Sequence, residues 1–284
     1  MKPEDFRFVH RLRVRWSEVD MQQIVFNAHY AMYLDTAICD YWRHLALPYE
    51  ATMQALNGDI FLKKTTVEFH ASARYDDALA VGLRCARVGR SSMVFEGGVF
   101  LGEQLLTQGE MVYVFANPLT HTSLTVPDPL RHCLEAYERG EPITRLQCGD
   151  WAQLEPLAGP LRKEVFVQEQ GVPPDMEWDE HDAQSVHAVL RNRLGVTIAT
   201  GRLLPSVQGV AKIGRMAVLP AMRGSGVGRA VLDALMAAAR ERGDREVLLH
   251  AQTSAEPFYQ RAGFAARGPR FDEAGIAHVE MLRA

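Results

Sequence analysis

Six consecutive residues, Arg223, Gly224, Ser225, Gly226, Val227 and Gly228, read R-G-S-G-V-G and stand between a short apolar run and a long amphipathic one. The first N–H groups of a helix have no intrahelical acceptor, and the macrodipole adds about half a positive charge there. Glycine lets the backbone approach a ligand closely and adopt positive φ. Such a turn is suited to cradle a phosphate, with the Arg223 fork as an added donor. It is equally suited to a plain strand-to-helix connection. A Walker motif would need Lys-Ser or Lys-Thr after the last glycine, where this chain has Arg229-Ala230, and the G-x-G-x-x-G dinucleotide fingerprint is not matched.

Other residues carry chemistry singly. Tyr259 could donate a proton to a leaving group, and His250, His187 and Glu169 could accept one from an amine. His250 ends an apolar segment and ranks first, although it reads as well as a satisfied core histidine. The acidic run Met176 to Asp182, "MEWDEHD", could attract a cation or serve as a solvated loop. Asp20 lies between an arginine-edged segment and a long amphipathic one. On spacing alone it reads as a helix cap, a loop acid or a catalytic carboxylate.

These residues need scaffolding, and 284 residues suffice for two ordinary domains. Apolar residues make up 47% and charged residues 23%, with a net charge of -4, so nothing global points to nucleic acid. No window reaches the roughly 18 apolar residues of a membrane span, and the N-terminus lacks an apolar signal core, so a cytoplasmic protein is expected. Four scattered cysteines read as reduced and buried, and the ten histidines show no zinc-like spacing.

A proline-bounded, charged segment from Thr125 to Thr144, with a short helix over Leu130 to Glu138, divides the chain. The expected domains are residues 1–130 and 144–284, with 131–143 as linker. In the first, Phe8, Leu12, Val14 and Trp16 alternate with arginines, a strand of period two. Tyr30, Tyr33, Leu34, Ala37, Ile38, Tyr41 and Leu45 mark one long helix. Extended segments follow at Ile60 to Ala71, Leu79 to Val88, Met93 to Leu101 and Met111 to Ala116. This is an α+β pattern, an antiparallel sheet over a single helix. In the second domain a helix covers Glu155 to Gln168. Strands follow at Val186 to Arg191, Val196 to Leu204 and Ile213 to Val218. The glycine turn opens a helix capped by Gly243. A strand at Val247 to Ala251, a short helix at Glu256 to Ala262 and a strand at Ile276 to Leu282 complete the pattern.

Arg223, Gly226 and Gly228 occupy the fixed positions of R/Q-x-x-G-x-G/A, and the loop resembles the coenzyme A pyrophosphate loop of GNAT-superfamily acetyltransferases. "VFVQEQGVP", "KIGRMAV", "LLHAQ" and "FYQRAGF" are similar to the ElaA-type branch over Thr144 to Ala284. The resemblance implies a mixed sheet flanked by helices and transfer of acetyl from acetyl-CoA to an amine. It gives the pyrophosphate to the amides from Arg223 to Gly228, and the pantetheine arm and acetyl carbonyl to Met216, Ala217 and Val218. Tyr259 falls where that family keeps its general acid, with His250 as the first-ranked base.

In the first half, D-x-x-x-I-V-F-x-x-x-Y from Asp20 to Tyr30, with "TTVEFHASARYDDALAV" and "LLTQGEMVYVFA", resembles hotdog-fold acyl-CoA thioesterases of the 4-hydroxybenzoyl-CoA and YbgC types. The resemblance implies that Asp20 attacks the thioester or activates water, and that a backbone N–H near Asn27 or Ala28 meets the oxyanion. Arg90 in "VGRSS" becomes a contact for the nucleotide phosphates, its alternative being a plain hairpin turn. Gln23 stands where a glycine is usual and Asn27 where the YbgC type has histidine. Together the two likenesses imply a bifunctional acyl-CoA enzyme with acyl-CoA and an amine as small-molecule partners. They imply no metal, and at least a homodimer through the hotdog domain. The alternative is an acetyltransferase whose hotdog domain is a non-catalytic acyl-CoA sensor or dimerisation platform.

Overall fold

The computed structural model describes residues 1–284, which divide into two compact units, Met1–Ile143 and Thr144–Ala284. In the first, β1 (Phe8–Arg13) leads through residues 14–26, which include a 3-10 turn at Trp16–Glu18, into α1 (Asn27–His44), followed by α2 (Tyr49–Ala55). Four long strands follow: β2 (Asp59–Phe69), β3 (Ala78–Val88), β4 (Ser92–Leu101) and β5 (Gln104–Ala116). They form one antiparallel sheet in the order β1-β3-β4-β5-β2.

The buried residues of α1 are Tyr30, Tyr33, Leu34, Ala37, Ile38, Tyr41 and Trp42, a stripe at helical spacing turned onto the sheet. Leu34 is fully buried at the centre of that contact. It rests where Gly97 and Gly109 leave room: a Cβ on Gly109 would collide with Leu34 Cδ1, and one on Gly97 would stand 2.7 Å from Cδ2.

Two details differ from the sequence reading. Trp16 lies beyond the end of β1, in a 3-10 turn, and is 77% exposed, so it does not share the face of Phe8 and Val14. Residues 131–143, read as linker, lie within the first unit, because α3 (Asp128–Glu138) packs on β3. Its Glu138 accepts hydrogen bonds from Tyr41 Oη (2.6 Å) and the Cys85 amide (2.9 Å), and Arg131 donates to the carbonyls of Val88 and Gly89. Of the cysteines, Cys85 and Cys133 are buried, whereas Cys39 and Cys148 are exposed. No helix is long and apolar enough to cross a membrane.

The second unit is a seven-stranded sheet. Its strands are β6 (Thr144–Gly149), β7 (Val186–Asn192), β8 (Thr197–Leu203), β9 (Val210–Val218), β10 (Glu246–Gln252), β11 (Ala265–Glu273) and β12 (Ile276–Arg283), in the order β11-β12-β10-β9-β8-β7-β6. All neighbours are antiparallel except β9 and β10. Strands β7 and β8 are almost wholly buried, as expected of strands covered on both faces. Helix α4 (Trp151–Arg162) sets Leu154 and Ala158 against Val189, while α6 (Val227–Arg242) sets Val231 and Leu235 over Gly201. Ala188 pairs with Gly201 and Val189 with Thr200, so the two helices lie on opposite faces. The expected helix from Glu155 to Gln168 is α4 followed by a π-helical segment, Lys163–Glu169, behind Pro156 and Pro160. The short helices α5 (Pro174–Glu177) and α7 (Glu256–Arg261) complete the unit.

Replacing Gly109 with alanine is expected to cost about 2 kcal/mol by overpacking against Leu34. Leu34→Ala alone is expected to cost about 3 kcal/mol. Chemical denaturation of the double variant should show a loss well below the sum, since the added methyl enters the space that Leu34 vacates. Additive losses would mean that the two residues do not share that space.

Candidate functional sites

The segment carrying Asp20 is tied down at both ends. Val14 exchanges backbone hydrogen bonds with the 76–77 turn, the Val25 amide donates to Ala73 O (2.9 Å), and Val19 bridges Val25. Between them the chain turns tightly: Gln23 N–H donates to Asp20 O (2.9 Å), Asp20 N–H to Ile24 O (2.9 Å), and Asp20 Oδ1 accepts from Gln22 N–H (2.8 Å). Gln23 takes φ +62°, the left-handed conformation that glycine adopts without strain. The glycine-type turn is therefore built with glutamine. Asp20 itself is half-buried.

Beneath this turn lies a group that the sequence reading missed. Glu18 is 5% exposed and accepts from Tyr33 Oη and from the Arg15 amide, both at 2.7 Å. Burial and the Glu18 carboxylate push the Tyr33 phenol up, so it remains a donor. The Phe26 amide donates to Glu18 O (2.9 Å), which sets the entry of α1. Asn27 and Ala28 are its first two residues, and their amides have no intramolecular acceptor. Two exposed aromatic rings, Trp16 and Tyr75, meet edge to face at 6.0 Å on the same two segments. Arg90 is exposed on the β3–β4 hairpin, with its carbonyl fixed by Val126 N–H (2.7 Å).

In the second unit, Gly224 and Gly226 take φ of +82° and +87°, and α6 begins at Val227. Of the six amides from Arg223 to Gly228, two are spent inside the turn: Arg223 donates to Pro220 O and Ser225 to Met222 O. Those of Gly224, Gly226, Val227 and Gly228 are open at the positive end of a 16-residue helix. The Arg223 fork lies on the Glu169 carboxylate, with two bonds of 2.6 Å, and this pairing holds the Glu169 carboxyl below its usual range.

Strand β9 then explains the neighbouring cavity. Its parallel ladder with β10 ends at Ile213 and Leu249, although both strands run on. On its other side, Arg202 faces Gly214 and Thr200 faces Ala217, so Arg215 and Met216 together oppose Gly201, a β-bulge with Arg215 at φ +52°. Met216, Ala217 and Val218 thus present backbone without a partner on the β10 side. A cavity of about 360 Å³ opens there, and Met216, Tyr259, His250, Lys212 and Arg215 are among its lining residues. Tyr259 is buried, with Phe258 and Phe264 against its ring, and burial pushes its phenol up to about 12. His250 Nδ1 stands 3.3 Å from Glu273 and 3.4 Å from Lys212 Nζ.

Of the four acids in the acidic run, only Glu180 is left exposed and unpaired. Arg162 is fully buried between Trp151 and Trp178, with its guanidinium 4.9 and 4.7 Å from the ring centroids, and it binds Glu177 and Asp182. Arg202 binds Asp179 and Asp182, and Arg215 binds Glu177 and Asp179. Three acids and three arginines neutralise one another, because charges removed from water must be paired. His187 is fully buried against Trp151, bonded to Asp182 O (2.9 Å), and burial holds its pKa down.

Comparison with known proteins gives two matches. Residues 159–283 match the family of the Acetyltransferase (GNAT) domain, and residues 22–108 match the Thioesterase superfamily. The chain is 37% identical over 124 residues to the uncharacterized N-acetyltransferase YjcF of Bacillus subtilis, covering 43% of this chain and 87% of that protein. Escherichia coli ElaA aligns at 26% identity with a TM-score of 0.46, over 50% of this chain and 100% of that structure. A thioesterase superfamily protein from Jannaschia sp. CCS1 aligns at 22% identity with a TM-score of 0.44, over 48% and 94%.

Gln23→Gly removes a left-handed non-glycine residue and is expected to raise stability by about 1 kcal/mol, read as a higher thermal midpoint. A lower midpoint would show that the Gln23 side chain, not its backbone, matters to the turn. Because the folded Tyr259 phenol holds its proton more tightly than the unfolded one, its stability contribution is complete below pH 10.0 and is lost as pH climbs to about 12. The phenolate absorbance difference between wild type and Tyr259→Phe should stay flat through pH 10.0 and appear near 12. Ionisation at the ordinary tyrosine pH would place the phenol in water.

Proposed function

We propose that this chain, which belongs to the thioesterase superfamily through its first domain and to the GNAT acetyltransferases through its second, is a bifunctional acyl-CoA enzyme. The first domain hydrolyses an acyl-CoA thioester at Asp20, and the second passes acetyl from acetyl-CoA to an amine. The observation that carries the reading is the row of four open amides at the start of α6, in the same unit as a cavity shared by Tyr259, His250 and the unpaired end of β9.

In the second domain, the amides of Gly224, Gly226, Val227 and Gly228 hold the pyrophosphate. Arg223 joins them by exchanging the Glu169 carboxylate for a phosphate. The backbone of Met216, Ala217 and Val218 takes the pantetheine arm and the acetyl carbonyl. The amine attacks the carbonyl carbon, the C–N bond forms and the C–S bond breaks. Tyr259, kept protonated by burial, gives its proton to the departing sulfur. His250 takes the proton that the amine loses, and solvent exchange restores both groups.

In the first domain, Asp20 attacks the thioester or draws a proton from water. The open amides of Asn27 and Ala28 receive the oxyanion, a role usually worth about 3 kcal/mol. Trp16 and Tyr75 offer apolar surface to the acyl group, and Arg90 meets the nucleotide phosphates. The domain pairs with a second copy: β2 is an 11-residue edge strand with Leu62 and Phe69 each 50% exposed. Exposed Cys39 and Cys148 suit a reducing cytoplasm.

A second reading keeps the first domain as a binder of acyl-CoA without hydrolysis. It is favoured by the Asp20 carboxylate's bond to the Gln22 amide inside the turn.

Free-thiol release from acetyl-CoA and aliphatic and aromatic acyl-CoAs, with and without amines, separates the readings. Asp20→Asn is expected to lower amine-independent release at least about 100-fold and to spare amine-dependent release. Tyr259→Phe is expected to do the reverse. Amine-independent release that ignores Asp20, or is absent, would leave the first domain as the sensor or platform.

A further inference from the structure

The polar groups of the cavity in the second domain sort by wall. On β9, Arg215 is committed, with Nε and Nη2 donating to the carbonyls of Glu177 and Met176 and to Asp179. Arg202 is committed to Asp179 and Asp182. Lys212 is different. Its ammonium makes one short polar contact, 3.4 Å to His250 Nδ1, and forms no ion pair, although it is half-buried and burial pulls its pKa down. On the facing hairpin the sign reverses. Glu273 lies 3.3 Å from His250 Nδ1, and Glu280 lies 3.9 Å from Nε2. The cavity therefore has a cation without a salt bridge on one wall, a carboxylate on the other, and an imidazole between them; Glu273 and Glu280 favour the Lys212 charge from a distance, but less than burial disfavours it.

A half-buried ammonium whose nearest carboxylates lie beyond an imidazole is incompletely compensated, and a ligand carboxylate would complete its pairing. We infer that the acetyl acceptor is a zwitterionic amine of the α-amino-acid class, whose carboxylate is held by Lys212 while its amine faces His250 and Glu273. This rests on the acetyltransferase reading of the domain. The spacing limits the class: Lys212 Nζ and His250 Nδ1 are only 3.4 Å apart, so the acceptor carries its two charged groups on the same or neighbouring carbons. Glu273 favours the ammonium on arrival; one proton leaves to solvent before attack, and His250 takes the second as the C–N bond forms. The apolar lining, which includes Val172, Met176, Ile213 and Ile276, receives the side chain of the amino acid.

The test uses the full chain and matched pairs of amines: L-leucine against isopentylamine, and L-phenylalanine against phenethylamine. Acetyl-CoA-dependent thiol release gives kcat and KM for wild type, Lys212→Met and Lys212→Arg. Each amino acid is expected to exceed its decarboxylated partner by about 10- to 100-fold in kcat/KM, the range of a charge-assisted hydrogen bond. Lys212→Met should abolish the preference through KM, and Lys212→Arg should keep it. Equal use of both members of a pair by wild type overturns the inference and leaves the acetyltransferase reading intact. So does a Lys212→Met variant that lowers kcat for both alike at unchanged KM, which would make the lysine a proton carrier. If no amine releases thiol, the acetyltransferase reading fails instead. Calorimetric titration with L-phenylalanine then decides: binding that Lys212→Met weakens about tenfold sustains the carboxylate site, and its absence removes it.

Discussion

Much of the second domain turns on the point at which β9 and β10 stop pairing. Up to Ile213 and Leu249 they share a parallel ladder; past it, two strand ends diverge inside one sheet. Unpaired backbone in a protein interior must find another partner or a ligand. The bulge at Arg215 and Met216 is the local device that turns β9 away, and its left-handed residue is steadied by Arg215's own bonds to the 176–179 segment. That segment is in turn anchored by Arg162, clamped between two tryptophans. A network of six charges, four of them buried, thus supports the wall of a cavity whose opposite side is the β11–β12 hairpin, paired except where the register shifts between Arg267 and Phe271.

The chain announced some of this in advance, for physical reasons. Helix α1 was legible because its seven buried residues recur at helical spacing on one face. The glycine turn was legible as a turn because glycine tolerates the positive φ that Gly224 and Gly226 adopt, although the letters fitted a plain connection equally well. Strand β11 was not, since its residues are nearly all exposed and its composition, "AARGPRFDE", carries no alternation. Trp16 was assigned to the wrong surroundings because period two continues in the letters after the strand itself has ended. The acidic run was ambiguous for a different reason: whether it is solvated or buried depends on Arg162, Arg202 and Arg215, which come from α4, β8 and β9, and spacing within the run says nothing of them. Lys212 and Glu273 likewise become neighbours of one imidazole only through the sheet.

The first domain shows how a turn can keep its shape while changing its residue. The hydrogen bonds about Asp20, together with the strand-like anchors at Val14 and Val25, hold Gln23 in a conformation that its side chain disfavours. The buried Glu18–Tyr33 pair beneath performs the same service for the start of α1. Residue type alone does not mark either one out, because their task is to hold backbone in place.

Leu34 and the two glycines beneath it tie three distant positions in the sequence to a single volume. The depth at which the helix lies on the sheet is set there by what β4 and β5 lack. A lineage could not enlarge either glycine without first shrinking the leucine, and could not shrink the leucine without opening a void. The three sites are therefore bound to drift in concert or to stand still, and a family record of this fold should show them as a covarying triplet.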